Sequence, residues 1–100
     1  MARIIWTEPA LNELDEIADY ISLDDPNAAK NLVRKAFSSV EHLEHYPESG
    51  KLLSEFDYSV YREIVVRPCR IFYRYENDNI FIIHIIRQEQ FLHFNVLKVR

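Results

Sequence analysis

Two hydrophobic periodicities divide the chain. A short β-branched and aromatic stretch, Ala2 to Thr7 (ARIIWT), predicts a first strand. Apolar residues then recur every three or four positions at Leu11, Leu14, Ile17, Ala18 and Ile21, with Glu13, Asp15, Glu16 and Asp19 mostly off that stripe, which predicts an amphipathic helix. Thr7 suits its N-cap, with Glu8 and Pro9 in the first turn. Asp24, Asp25 and Pro26 interrupt the pattern and restart it. Ala29, Leu32, Val33, Ala36, Phe37, Val40 and Leu43 then form a second stripe that stops at Tyr46-Pro47. So short a connection predicts an antiparallel helical hairpin.

From Val60 the period falls to two. Arg62, Ile64 and Val66 share one face of a strand and Tyr61, Glu63 and Val65 the other; Arg70, Phe72 and Arg74 likewise oppose Ile71, Tyr73 and Tyr75. Arg67-Pro68 separates these strands, and Glu76-Asn77-Asp78-Asn79 predicts a hairpin turn, because Asn and Asp tolerate positive φ. Lys51 to Ser59 reads as loop, and Gly50 in Pro47-Glu48-Ser49-Gly50 is the one glycine free to take positive φ. The last strand, Ile80 to Arg87, is apolar on both faces. One helical hairpin covers one face only, so a second cover is expected from the chain's tail or a partner. The tail, Gln88 to Arg100, fits either a short helix or another strand.

The pattern amounts to one α+β domain over residues 1–100, in the order β-α-α-β-β-β, with the hairpin packed on a small, mostly antiparallel sheet. At 100 residues and 48% hydrophobic composition the chain can bury a core without a cofactor. Cys69 is the only cysteine, so no intramolecular disulfide forms, and it reads as structural. The N-terminus lacks the apolar region of a secretion signal, and no run approaches the roughly 20 residues of a membrane helix. Cytoplasm is the expected compartment. A net charge of -4 argues against a protein that holds nucleic acid chiefly by neutralising phosphates, while leaving room for local basic patches.

Candidate chemistry is sparse. Arg62, Arg67, Arg70, Arg74 and Arg87 all fall in the C-terminal half, as an anion- or partner-binding face or as ordinary solvated sheet residues with intramolecular ion pairs. His42 and His45 lack a cysteine or third ligand and read as surface histidines, so no metal is expected. His84, among isoleucines, reads as a hydrogen-bonded core histidine, and His93 is the better acid/base candidate. Tyr73 and Tyr75 lie opposite Arg70 and Arg74, which excludes an arginine–tyrosine ladder for bases. No short motif for nucleotide, metal or serine-hydrolase chemistry occurs.

TEPALNELDEIADYI, DPNAAKNLV, LEHYPESGK, YREIVVRPCRIFYRY and NIFIIHIIR follow one another along nearly the whole chain. In that order they resemble the ParE branch of the RelE/ParE toxins of bacterial toxin–antitoxin modules. The resemblance implies a toxin held inactive by a cognate antitoxin in a hetero-oligomer, with Ile80, Ile82, Phe91, Leu92 and Phe94 as candidate antitoxin contacts. In the ParE branch the implied target is DNA gyrase, poisoned by binding. Arg70, Arg74, Arg87, Lys98 and Arg100 are then the candidate target contacts, and no sequence-specific nucleic-acid binding is expected. The RelE branch implies ribosome-dependent mRNA cleavage, for which Arg62, Arg87 and His93 are the candidate catalytic residues. ParE-like chains often carry a basic segment after the last strand, whereas RQEQFLHFNVLKVR is more apolar. A pure interaction module that has lost toxicity is the third reading.

Overall fold

The computed structural model describes residues 1–53 and 60–88. Its elements are β1 (Arg3–Trp6), α1 (Glu8–Ser22), α2 (Pro26–His42), β2 (Lys51–Leu52), β3 (Tyr61–Val66), β4 (Cys69–Glu76) and β5 (Asn79–Arg87). They form a five-stranded sheet in the order β1-β5-β4-β3-β2, parallel only between β1 and β5. The α+β class and the element order follow the sequence pattern, with β2 added.

Both helix starts have the expected chemistry. The Thr7 hydroxyl accepts from Ala10 N–H (3.4 Å) and donates to the Ile82 carbonyl (2.6 Å), so one side chain caps α1 and ties it to β5. The Asp25 carboxylate accepts from Asn27 and Ala28 N–H, both at 3.1 Å, with Pro26 opening α2. Leu14 of the first stripe and Leu32, Ala36 and Val40 of the second bury against Ile71, Tyr73, Ile80, Ile82 and Ile85 of the sheet, joined by Ala10, which takes the inward place while Leu11 of the stripe is exposed. Each large aliphatic side chain sealed here contributes about 1.5–3 kcal/mol of burial. Trp6 is half-buried at the margin of this core, its ring 4.7 Å from that of Phe37.

The apolar excess of β5 has an internal explanation. Phe72 lies opposite His84 and Tyr73 opposite Ile82, so Ile83 is an extra residue, a β-bulge. Ile82 and Ile85 therefore both join the helix-side core, while Ile83 packs with Phe72 and Leu53 in a second core. Arg70 and Arg74 cover that second core, their guanidinium carbons 4.9 Å and 4.5 Å from the ring centroids of Phe72 and Phe81. The arginines thus stack on phenylalanines, a pairing across strands and along one face that the tyrosine comparison did not reveal.

Two local expectations are corrected. Lys51 and Leu52, read from the sequence as loop, form a short edge strand on β3, opposite Glu63 and Arg62. Gly50 does not use positive φ; Asn77 and Asp78, at φ 53° and 63°, hold the two positive-φ positions of the predicted hairpin turn. Gly50 is required for room. A Cβ there would collide with the Tyr73 hydroxyl and lie 2.6 Å from Tyr73 Cε1 and 2.9 Å from the Glu63 carbonyl oxygen.

Candidate functional site

The arginines suggested by sequence do not meet in one place. Arg62 lies opposite Tyr73 and Arg87 opposite Cys69, four residues apart along β4 (roughly 13 Å) and on strands two spacings apart (roughly 10 Å). Their α-carbons are therefore roughly 16 Å apart, with the core side chains Ile71 and Tyr73 between them. In this structure the two side chains turn to different partners, Arg62 to the Pro47–Gly50 turn and Arg87 to Tyr20 of α1.

Arg62 is committed elsewhere. Its Nη1 donates to the carbonyls of Glu48 and Gly50, both at 2.9 Å, and its Nη2 lies 3.7 Å from the Glu48 carboxylate. The Tyr73 hydroxyl donates to the Pro47 carbonyl (2.8 Å) and accepts from Gly50 N–H (2.9 Å). Together they clamp the Pro47–Gly50 turn to the sheet. Burial pushes the Tyr73 phenol above its ordinary pKa of 10.0, against the opposing pull of the Gly50 hydrogen bond and the Arg62 charge. It therefore stays a hydrogen-bond donor throughout the neutral range.

Arg70 donates to Glu63 at 2.7 Å, and Arg74 lies 3.9 Å from Glu76; both occupy the sheet face away from the helices. Arg87 lies on the other face, its guanidinium 5.3 Å from the ring of Tyr20 in α1. The candidate target contacts Arg70, Arg74 and Arg87 are therefore split between two faces. Ile80 and Ile82 are fully buried between sheet and helices, so neither offers surface to an antitoxin, a correction to the expectation from β5's composition. His93, Lys98, Arg100, Phe91, Leu92 and Phe94 lie outside the described residues.

His84 is buried as expected, and its partner is Glu13, whose carboxylate lies 3.0 Å from His84 Nδ1 and also accepts the Ile85 N–H at 3.1 Å. Since β1 pairs with β5 only as far as Trp6 and Ile82, this acid takes the place of a strand partner on the remaining edge of β5. Glu13 counted as a solvated face residue in the sequence pattern; only its position near the stripe's edge hinted at more. His42 and His45 are exposed, their rings set 4.7 Å and 6.5 Å from Tyr46. Cys69 is buried. Among the described residues no group of three potential ligands could hold a metal, and no helix is long and apolar enough to cross a membrane.

Apolar surface does remain on the helical side. Leu11, Tyr20, Leu23 and Phe37 are exposed, and Ala18, Pro26, Ala29 and Val33 line a groove between α1 and α2. Exposed apolar helix surface of this kind suits contact with another macromolecule.

Known proteins share this architecture. Residues 4–91 match the model of the ParE toxin of the type II toxin–antitoxin system parDE. Toxin RelE2 of Caulobacter vibrioides is 34% identical over 87 residues, covering 87% of this chain and 92% of that protein. A putative toxin, Y4kP, of Sinorhizobium fredii is 49% identical over 49 residues, which is 49% of this chain and 51% of that protein. Among solved structures, a chain of the chromosomal ParDE system of P. aeruginosa superposes with a TM-score of 0.72 at 27% identity, covering 89% of this chain and 98% of that one. One from the RelBE2 toxin–antitoxin complex of Mycobacterium tuberculosis gives 0.58 at 18% identity, covering 87% and 98%, and shares the fold. The chain belongs to the ParE toxin family of type II toxin–antitoxin systems.

Proposed function

We propose that this toxin acts by binding and poisoning DNA gyrase, and that a cognate antitoxin neutralises it. The observation that carries the reading is the commitment of Arg62 to the Pro47–Gly50 turn while Arg87 lies against Tyr20 of α1, so the two candidate cations do not share a site. Cleavage of RNA requires a base at the 2′-hydroxyl and cations gathered on one phosphorus. A poison that stabilises another enzyme's intermediate requires only a complementary surface. The exposed apolar residues of the helical hairpin support an antitoxin partner, since an amphipathic segment would bury them. The ParDE and RelBE2 neighbours come from toxin–antitoxin systems, which supports the same partner class.

Induction of the toxin in cells carrying a DNA-damage reporter separates the readings. The expected result is reporter activation with intact messages, abolished by co-expression of the neighbouring antitoxin frame. Codon-positioned cuts in mRNA without a DNA-damage signal would assign the RelE-like activity instead. Loss of neither growth nor reporter silence at full expression would leave only an interaction module.

A further inference from the structure

Three neighbouring clefts run along α2 as one groove. The largest, about 770 Å³, is lined by Arg34, Lys35, Ser38, Ser39 and Arg67 among others. It shares Lys35 and Arg67 with a cleft that reaches Arg87, and Ser38, Ser39 and Val65 with one that reaches His42 and Ser49. Among the described residues no Asp or Glu lines any of the three, in a chain with 16 acidic residues. Elsewhere the pattern is the reverse: Arg62, Arg70 and Arg74 each lie within 4 Å of a glutamate. Arg34, Lys35 and Arg67 have no carboxylate partner among the described residues. Arg34 only donates to Asn31 on the same helix.

We propose that this groove is a binding site for a nucleic-acid phosphate backbone. The donors are those that contact phosphates: guanidinium, ammonium and hydroxyl groups, with the Gln88 amide beside them. Arg34 and Ser38, and Lys35 and Ser39, are pairs one helical turn apart, so α2 sets two cations and two hydroxyls side by side on the groove wall. From Asn31 to His42 the helix extends roughly 17 Å. A nucleic-acid backbone lying along it would set about three successive phosphates against the groove, so the groove suits a repeating anion better than a free nucleotide. A peptide groove would offer apolar pockets for side-chain anchors. Here Leu32, Leu43 and Val66 are sealed, and among the described lining residues only Val65 exposes a large apolar surface. Contact with the backbone alone is independent of sequence, and it holds whichever enzyme the toxin targets.

The test is fluorescence anisotropy of a short labelled DNA duplex with the purified 100-residue chain. About three phosphates neutralised predict a log–log salt slope of about −2.7, or about 40-fold weaker binding at 200 mM than at 50 mM salt. The double variant Lys35→Glu/Arg67→Glu should lose at least about tenfold at 50 mM salt and flatten the slope. The charge-matched control Arg3→Glu/Lys51→Glu, with both residues exposed and outside the groove, should stay close to wild type. Thermal melts of both variants check folding, and a single groove change, Arg34→Gln, replaces the double variant if that one melts early. Absence of duplex binding at 50 mM salt, or equal losses in groove and control variants, would overturn the proposal. So would polyglutamate or a nucleoside triphosphate binding as tightly as the duplex.

Discussion

Replacing Tyr73 by Phe tests how the sheet holds the Pro47–Gly50 turn. The ring stays, and with it the packing of a fully buried side chain; the hydroxyl alone is lost. Two hydrogen bonds go with it, from Gly50 N–H at 2.9 Å and to the Pro47 carbonyl at 2.8 Å. The Gly50 amide lies in a buried environment, and leaving such a donor unsatisfied costs about 1–3 kcal/mol. The Pro47 carbonyl is only partly buried and regains water, so its loss adds little. Taking about 2 kcal/mol, a domain of this size should melt roughly 8–16 °C earlier. The pH dependence carries a second signature. Burial holds the folded phenol above its ordinary 10.0, so the folded state keeps a proton that the unfolded chain has lost above that pH. The stability tied to this proton is fully present below pH 10.0 and falls as pH rises through the folded value. Urea titrations at neutral pH and above pH 10 should therefore show the wild type losing stability at high pH and Tyr73→Phe losing less. A variant that melts within about 2 °C of wild type would refute the clamp.

Glu13→Ala should cost about 1–3 kcal/mol in urea denaturation, because Ile85 N–H and His84 lose their shared acceptor on the strand edge; an unchanged midpoint would contradict that role. Asp25→Ala removes the acceptor for two amides at the start of α2 and should cost about 0.5–2 kcal/mol, with Asp25→Ser retaining most of the stability. Gly50→Ala should be more damaging than an ordinary surface substitution, since its Cβ meets the Tyr73 ring and the Glu63 backbone; a Gly50→Ala/Tyr73→Phe pair that is less than additive in thermal melts would confirm the shared contact.

The element order was legible because its determinants are local. Helix stripes, the caps Thr7 and Asp25 with their prolines, and the Asn77-Asp78 turn each operate within a few residues. What escaped the sequence depends on pairing between distant positions. The bulge at Ile83 changes which face each isoleucine joins, and nothing within NIFIIHIIR specifies where the extra residue falls. Ile80 and Ile82 consequently looked like surplus surface and are core. Gly50 invited a local, conformational explanation, whereas its constraint comes from Tyr73, 23 residues away. The arginines were conspicuous as a group, yet strand register divides them between two faces, and the cations along α2 and at Arg67 gather only once the sheet packs beside that helix.

The central claim, a toxin that acts by binding to gyrase, is tested most directly by incubating purified toxin with gyrase, ATP and supercoiled plasmid, then trapping cleaved DNA with detergent. The account predicts linear plasmid that accumulates with toxin, depends on gyrase, and disappears when the cognate antitoxin is added. Unaltered supercoiling with no trapped DNA at saturating toxin, alongside mRNA cut in a ribosome-containing reaction, would contradict it.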